Sequence, residues 1–143
     1  MFLGQFSHSL DDKGRVVMPR KFRSDLEKGC VLTKGQERCL YVFPMERWQT
    51  EAARVLKLPR TDRRARNFSR SFFASASDQQ LDKQGRVQVP EALRSYAGLE
   101  KDVTVVGVAD HVQLWSSTAW AEYAAEADEY YAGIEEVLSG EGI

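Results

Sequence analysis

The sequence predicts an α+β fold in which two pseudo-symmetric repeats share one β core, with helices flanking it. Three observations lead there. A fourteen-residue block occurs twice, each copy contains a glycine-bearing hairpin followed by runs rich in β-branched residues, and each copy then passes into a stretch with apolar residues at helical spacing.

The block Leu10-Asp-Asp-Lys-Gly-Arg-Val-Val-Met-Pro-Arg-Lys-Phe-Arg23 returns, 71 residues later, as Leu81-Asp-Lys-Gln-Gly-Arg-Val-Gln-Val-Pro-Glu-Ala-Leu-Arg94. Seven of the fourteen positions are identical, where unrelated stretches share about one. With one residue gained, the correspondence continues: Gly35 with Gly107, Phe43 with Trp115, Trp48 with Trp120. Two copies are too few for a solenoid and suit a pseudo-symmetric pair around a common core.

The elements follow in order. Gly4 to Leu10 and Ser77 to Leu81 lead into turns. Asp12-Lys-Gly14 and Lys83-Gln-Gly85 place glycine where a hairpin needs positive φ. Arg15 to Met18 and Arg86 to Val89 are short strands, and Pro19 and Pro90 fit the first helical position, where a missing N–H costs little. Short helices run to about Leu26 and Tyr96. Cys30 to Lys34, Leu40 to Phe43, Val103 to Gly107 and Val112 to Trp115 are strands.

Met45 to Leu58 reads as a helix stopped by Pro59, and Thr61 as the cap of a second, with Ala65, Phe68 and Phe72 on its apolar face. Thr118 to Leu138 reads as one long helix with the stripe Trp120, Tyr123, Ala127, Tyr130, Ile134 and Val137, suited to core or subunit contact. These limits divide the chain into a first repeat over 5–48, a basic helical connector over 49–75, a second repeat over 76–120, and an acidic helix with a short tail over 121–143.

Composition is that of a soluble globular chain, 43% hydrophobic and 29% charged. The longest apolar run, Val103 to Ala109, suits a buried strand and is far short of a membrane span. The first residues lack a basic leader with a long apolar stretch, so the expected compartment is the cytoplasm. Cys30 and Cys39 form no CxxC pair, and with His8 and His111 as the only histidines no metal site is expected. No cofactor motif, phosphate-binding glycine loop or nucleophile with a histidine base points to catalysis.

The net charge of −1 conceals a strong asymmetry. Residues 1–75 hold 16 Lys and Arg against 8 Asp and Glu; residues 76–143 hold 4 against 13. The basic half suits an anionic partner, and the two halves together suit head-to-tail contact between copies. Two solvated surfaces of opposite sign would give the same tally.

The start Met-Phe-Leu-Gly, the paired Leu-Asp-x-x-Gly-Arg-Val-x-x-Pro blocks and the basic helix between them resemble the MraZ family of bacterial transcription regulators. The resemblance covers about Phe2 to Leu138. It implies two AbrB-like halves of the swapped-hairpin type, packed as a pseudo-dimer. It further implies a ring-like homo-oligomer and binding of double-stranded DNA at short direct repeats upstream of the division and cell-wall gene cluster, including the protein's own promoter. A nucleoid-associated cytoplasmic location follows from it, with no membrane and no small-molecule substrate.

The family's DxxxR signature falls on Asp11 with Arg15 and on Asp82 with Arg86. Arginine carries a planar fork of donors that fits a phosphate or the O6/N7 edge of guanine. A carboxylate beside it repels phosphate, so Asp11 and Asp82 are assigned to positioning. Lys13, Arg20, Lys21 and Arg23 surround the first hairpin, and Lys83 and Arg94 the second; they suit phosphate neutralisation. The flanks differ, Lys13 answering to Gln84, Arg20 to Glu91 and Lys21 to Ala92, so equal contributions from the two copies do not follow. Arg63, Arg64, Arg66 and Arg70 suit either DNA or a neighbour's acidic helix. A toxin-holding module is the rival reading, disfavoured by an ordered amphipathic C-terminus; a self-assembling scaffold is another, separable only by a salt-titrated DNA-binding assay.

Overall fold

The computed structural model describes residues 1–143. Six strands form one antiparallel sheet in the order β1-β7-β8-β4-β3-β5, and two more, β2 and β6, form a separate ribbon. The strands are β1 Phe2–Ser9, β2 Arg15–Val17, β3 Cys30–Lys34, β4 Leu40–Pro44, β5 Ser77–Gln79, β6 Arg86–Gln88, β7 Asp102–Ala109 and β8 His111–Ser116. The order is palindromic under exchange of the repeats. The centre is the pairing of β4 with β8, Leu40 opposite Leu114 and Val42 opposite Val112.

Each repeat lends its first strand to the other. β1 pairs with β7 from Phe2–Ala109 to Ser9–Asp102, and β5 pairs with β3 from Cys30–Gln79 to Leu32–Ser77. The ribbon is shared in the same way: Val16 faces Val87, flanked by Arg15–Gln88 and Val17–Arg86. Beneath it lies one apolar cluster with matching residues from both repeats, among them Val16 with Val87, Met18 with Val89, Phe22 with Leu93 and Leu26 with Ala97. Val16, Met18, Val87 and Val89 are wholly buried. Burying each such side chain contributes roughly 1.5–3 kcal/mol. The tandem α+β architecture with one shared core is therefore what the sequence predicts.

Several element limits move. Pro19 and Pro90 stand one residue before their helices in extended backbone, φ −50° ψ 139° and φ −57° ψ 150°. The first repeat continues with a 3-10 turn, Arg20–Phe22, and α1 Arg23–Leu26; the second forms α4 Glu91–Ala97. Helix α2 spans Met45–Leu56 and α3 Arg63–Ala74. The cap of α3 is Asp62 and not Thr61: its carboxylate accepts from the Arg64 amide at 2.8 Å, and a full negative charge suits a helix N-terminus better than a hydroxyl. Phe72 is buried, stacked on Trp48 at 5.1 Å, whereas Phe68 remains 40% exposed. The buried Thr33 hydroxyl donates to the Phe72 carbonyl at 2.7 Å and fastens the end of α3 to the sheet.

The long C-terminal helix is two. Helix α5 covers Ser117–Gly133, Ile134 is extended (φ −80°, ψ 124°), and α6 covers Glu136–Gly140. Glycine disfavours helix by about 1 kcal/mol relative to alanine, and no packing here compensates. The apolar stripe splits accordingly. Trp120 and Tyr123 gather on Trp115, with ring centroids 5.3 and 4.9 Å away, but Tyr130, Tyr131 and Val137 stand in solvent. No helix is long and apolar enough to cross a membrane.

Candidate nucleic-acid interface

The two hairpins close by the same device. The Gly14 amide donates to the Asp11 carbonyl at 3.0 Å, and the Asp11 amide to the Arg15 carbonyl at 2.9 Å; in the second copy Gly85–Asp82 and Asp82–Arg86 repeat these bonds at 2.9 and 3.1 Å. The turn needs φ of +77° at Gly14 and +76° at Gly85, the left-handed region where a Cβ is strained.

The aspartates do more than face their arginines. Asp11 Oδ1 accepts from the backbone amides of Lys13 and Arg15, at 2.9 and 2.8 Å, while Oδ2 takes Arg15 Nε at 2.8 Å. Asp82 accepts from Gln84 and Arg86 amides, both at 2.9 Å, and from Arg86 Nε at 2.7 Å. One carboxylate thus shapes the turn and fixes its arginine. The amide of Arg15 holds the Asp11 carboxyl below its usual range, helped by the Arg15 side chain and the Lys13 amide; Arg86 does the same for Asp82. Both carboxylates are charged at neutral pH. Engagement through Nε leaves Arg15's two terminal nitrogens without protein acceptors.

Because Val16 and Val87 point inward, Arg15, Val17, Arg86 and Gln88 share the outer face of the ribbon. Asp11 Oδ2 lies 2.8 Å from Arg15 and 3.9 Å from Arg86, so the two guanidinium groups stand side by side although they come from different repeats. Beside them is a hollow of about 340 Å³ lined by Arg15, Arg86, Asp82, Gln79 and Gln88, with no apolar side chain.

Lys13, Arg20, Lys21 and Lys83 are exposed; Lys13 and Lys83 stand in the two hairpin turns, and Lys21 Nζ rests over the Phe6 ring of β1 at 5.3 Å. Arg23 and Arg94 are placed differently. Each is half-buried and donates to the residue just after its own repeat's ribbon strand, Arg23 Nε to the Met18 carbonyl at 3.0 Å and Arg94 Nη1 to the Val89 carbonyl at 2.6 Å. Each arginine side chain then packs against the turn glycine of the other repeat, Arg23 on Gly85 and Arg94 on Gly14, leaving no space for a Cβ.

Two participants carry no mark in the sequence. Gln79 forms a two-point clasp with the Gln88 backbone, both bonds 2.7 Å, and Gln88 Nε2 donates to the Lys13 carbonyl at 2.6 Å. Their counterparts in the first repeat are His8 and Val17, which cannot do this, so the duplication hides them.

The remaining chemistry-bearing residues lie elsewhere. Arg64 pairs with Asp62 and Arg66 donates to the Arg60 carbonyl. Cys30 sits in the main core and Cys39 against Val106 and Trp115; burial pushes both thiols up to about 12, far from the thiolate form. Burial and then the Arg23 charge lower His8.

The family model described as "MraZ protein, putative antitoxin-like" matches the chain twice, over residues 1–71 and 72–136. Proteins named Transcriptional regulator MraZ from Salinispora tropica and Salinispora arenicola are each 51% identical to this chain over 141 residues, 98% of it and 99% of theirs. The Transcriptional regulator MraZ of Halothermothrix orenii is 42% identical over 143 residues, the full length of both. A double match of the family model and full-length relatives at this identity place the chain in the MraZ family of transcriptional regulators.

Proposed function

We propose that the chain is a sequence-specific DNA-binding transcriptional regulator that inserts the β2–β6 ribbon into the major groove. The observation that carries this is the side-by-side presentation of Arg15 and Arg86 on one outer face, each oriented by a carboxylate that also shapes its turn. A two-stranded ribbon fits the major groove, and a guanidinium fixed through Nε can turn its terminal nitrogens to guanine O6 and N7; those of Arg15 are free, and Arg86 Nη2 has only Gln84 Oε1 at 3.2 Å to leave. Lys13, Lys83, Arg20 and Lys21 neutralise phosphates around it. Arg23 and Arg94, assigned to phosphate from sequence, act first by bracing the hairpins, with their remaining nitrogens directed to the DNA backbone.

The targets are short direct repeats upstream of the division and cell-wall genes, its own promoter included, and the site of action is the nucleoid in the cytoplasm. The acting form is a ring-like homo-oligomer. A ring needs one patch to meet a different patch on the next copy. The basic first half, the acidic α5 and the solvent-exposed Tyr130, Tyr131 and Val137 supply such a pair. No cofactor, membrane or small-molecule substrate enters this reading.

The deciding experiment is a salt-titrated binding assay on the region upstream of the protein's own gene, with a shuffled duplex as control. Preference for the native sequence that survives rising salt supports the function. Equal binding to both duplexes refutes sequence reading, and no binding to either refutes the DNA-binding function.

A further inference from the structure

The two halves of the ribbon are related by a pseudo-two-fold axis through Val16 and Val87. A ribbon with that symmetry intact reads a base step identically in both orientations. The strand residues of its outer face break the symmetry at one pair of positions, 17 and 88. Across from Arg15 stands Gln88, and across from Arg86 stands Val17. We propose that Val17 and Gln88 are the specificity-determining residues that give the ribbon a direction on DNA, Val17 by meeting a thymine methyl group and Gln88 by meeting an exocyclic amino group. This rests on the DNA-binding function proposed above.

Chemistry separates the two halves. Gln88 Nε2 is committed to the Lys13 carbonyl at 2.6 Å, which fixes the side chain and leaves Oε1 as a free acceptor. In the major groove an acceptor is complementary to the amino group of adenine or cytosine. Val17, half-buried, offers only methyl groups, and the groove's only methyl is that of thymine. The arginines themselves are unequally free. Arg86 Nη2 is drawn to Gln84 Oε1 at 3.2 Å, whereas Arg15 has Lys13 at the matching position and no such acceptor. The Arg15–Gln88 half is therefore polar and loosely held at its tip, and the Arg86–Val17 half is apolar and constrained. Two guanine-reading arginines with unequal companions match a box that has a head and a tail.

The test uses a duplex carrying one box from the region upstream of the protein's own gene, each thymine in turn replaced by uracil, with binding measured by fluorescence anisotropy. The expected result is a single thymine whose methyl loss weakens wild-type binding about three- to five-fold, the value of one buried methyl group. Val17→Ser binds the thymine and uracil duplexes alike. Gln88→Leu keeps the thymine–uracil difference and loses preference at an adenine or cytosine on the other side of the paired guanines. No methyl-sensitive thymine in the wild type overturns the proposal without any variant having to fold, and so does a difference that persists in Val17→Ser. Failure of the wild type to prefer its upstream DNA over a shuffled duplex removes the underlying function instead.

Discussion

Arg94 of the second repeat lies on Gly14 of the first, its guanidinium anchored to the Val89 carbonyl at 2.6 Å while the Gly14 carbonyl accepts from the Val89 amide at 2.8 Å. Arg23 and Gly85 repeat the arrangement, with the Met18 amide on the Gly85 carbonyl at 2.8 Å. Each hairpin is thus braced by the repeat to which it does not belong. Gly14→Ala is expected to lower the melting temperature by several degrees, since the left-handed backbone alone costs about 1–2 kcal/mol with a Cβ and Arg94 must move as well. In an Arg94→Ala background the same change costs less. Thermal unfolding of the double-mutant cycle measures the coupling; strict additivity removes the brace.

Replacing Arg15 or Arg86 by alanine is expected to abolish specific binding while the fold persists, because both side chains lie on the outer face and neither belongs to the core cluster. Anisotropy against cognate and shuffled duplexes, alongside circular dichroism, checks it. Wild-type binding by the double variant would remove both arginines from the site.

Lys21→Ala is expected to weaken cognate and random DNA alike and to reduce the slope of log affinity against log salt by about one unit. Its exposed ammonium rests over the Phe6 ring of β1, and Lys21 is not part of the ribbon. A loss confined to cognate DNA, with the salt slope unchanged, shows base reading.

Charge reversal of Glu126, Glu129 and Glu136 to Lys is expected to reduce the assembly mass by light scattering and to weaken multi-box DNA much more than a single box. All three are exposed, on α5 and α6, so the single chain folds without them. An unchanged mass excludes the acidic helices from assembly.

The hairpin carboxyls set an acid limit. A carboxyl with a lowered folded pKa adds stability above its ordinary value and loses it as pH falls through the lower one. Asp11 and Asp82 both lie below the usual 3.8, so the hairpins hold across neutral and mildly acid pH and loosen only in strong acid. The Nε–H resonances of Arg15 and Arg86 in a pH-titrated NMR series report this. Their loss between pH 5 and 7 contradicts it.

What the sequence shows best is local. Gly14 and Gly85 mark turns that need positive φ, the β-branched runs mark strands, and the 71-residue echo marks the duplication. What it hides is the choice of partner. In a duplicated chain β1 can pair with its own repeat or with the other, and alternation of side chains is the same in both cases; only the folded structure sets β1 beside β7. The same degeneracy hides Arg23 on Gly85, since both residues look like ordinary members of their own repeat. The end of α5 was obscured differently: apolar spacing continues through Ile134 and Val137, but with no surface to bury them Gly133 decides the outcome. Thr61 and Asp62 are both good caps, and charge alone separates them.

The exchange of strands also gives the molecule a clock. Phe2 takes its place only against Ala109, and Val16 only against Val87. During synthesis the first hairpin emerges long before the strand that completes its ribbon, so a half-made chain has the Asp11–Arg15 turn but no β6 to set Arg15 beside Arg86. Contacts this distant in sequence form late and slowly. The ribbon therefore cannot exist until β6, Arg86–Gln88, has been made, and a product truncated before that point lacks the face on which Arg15 and Arg86 stand together.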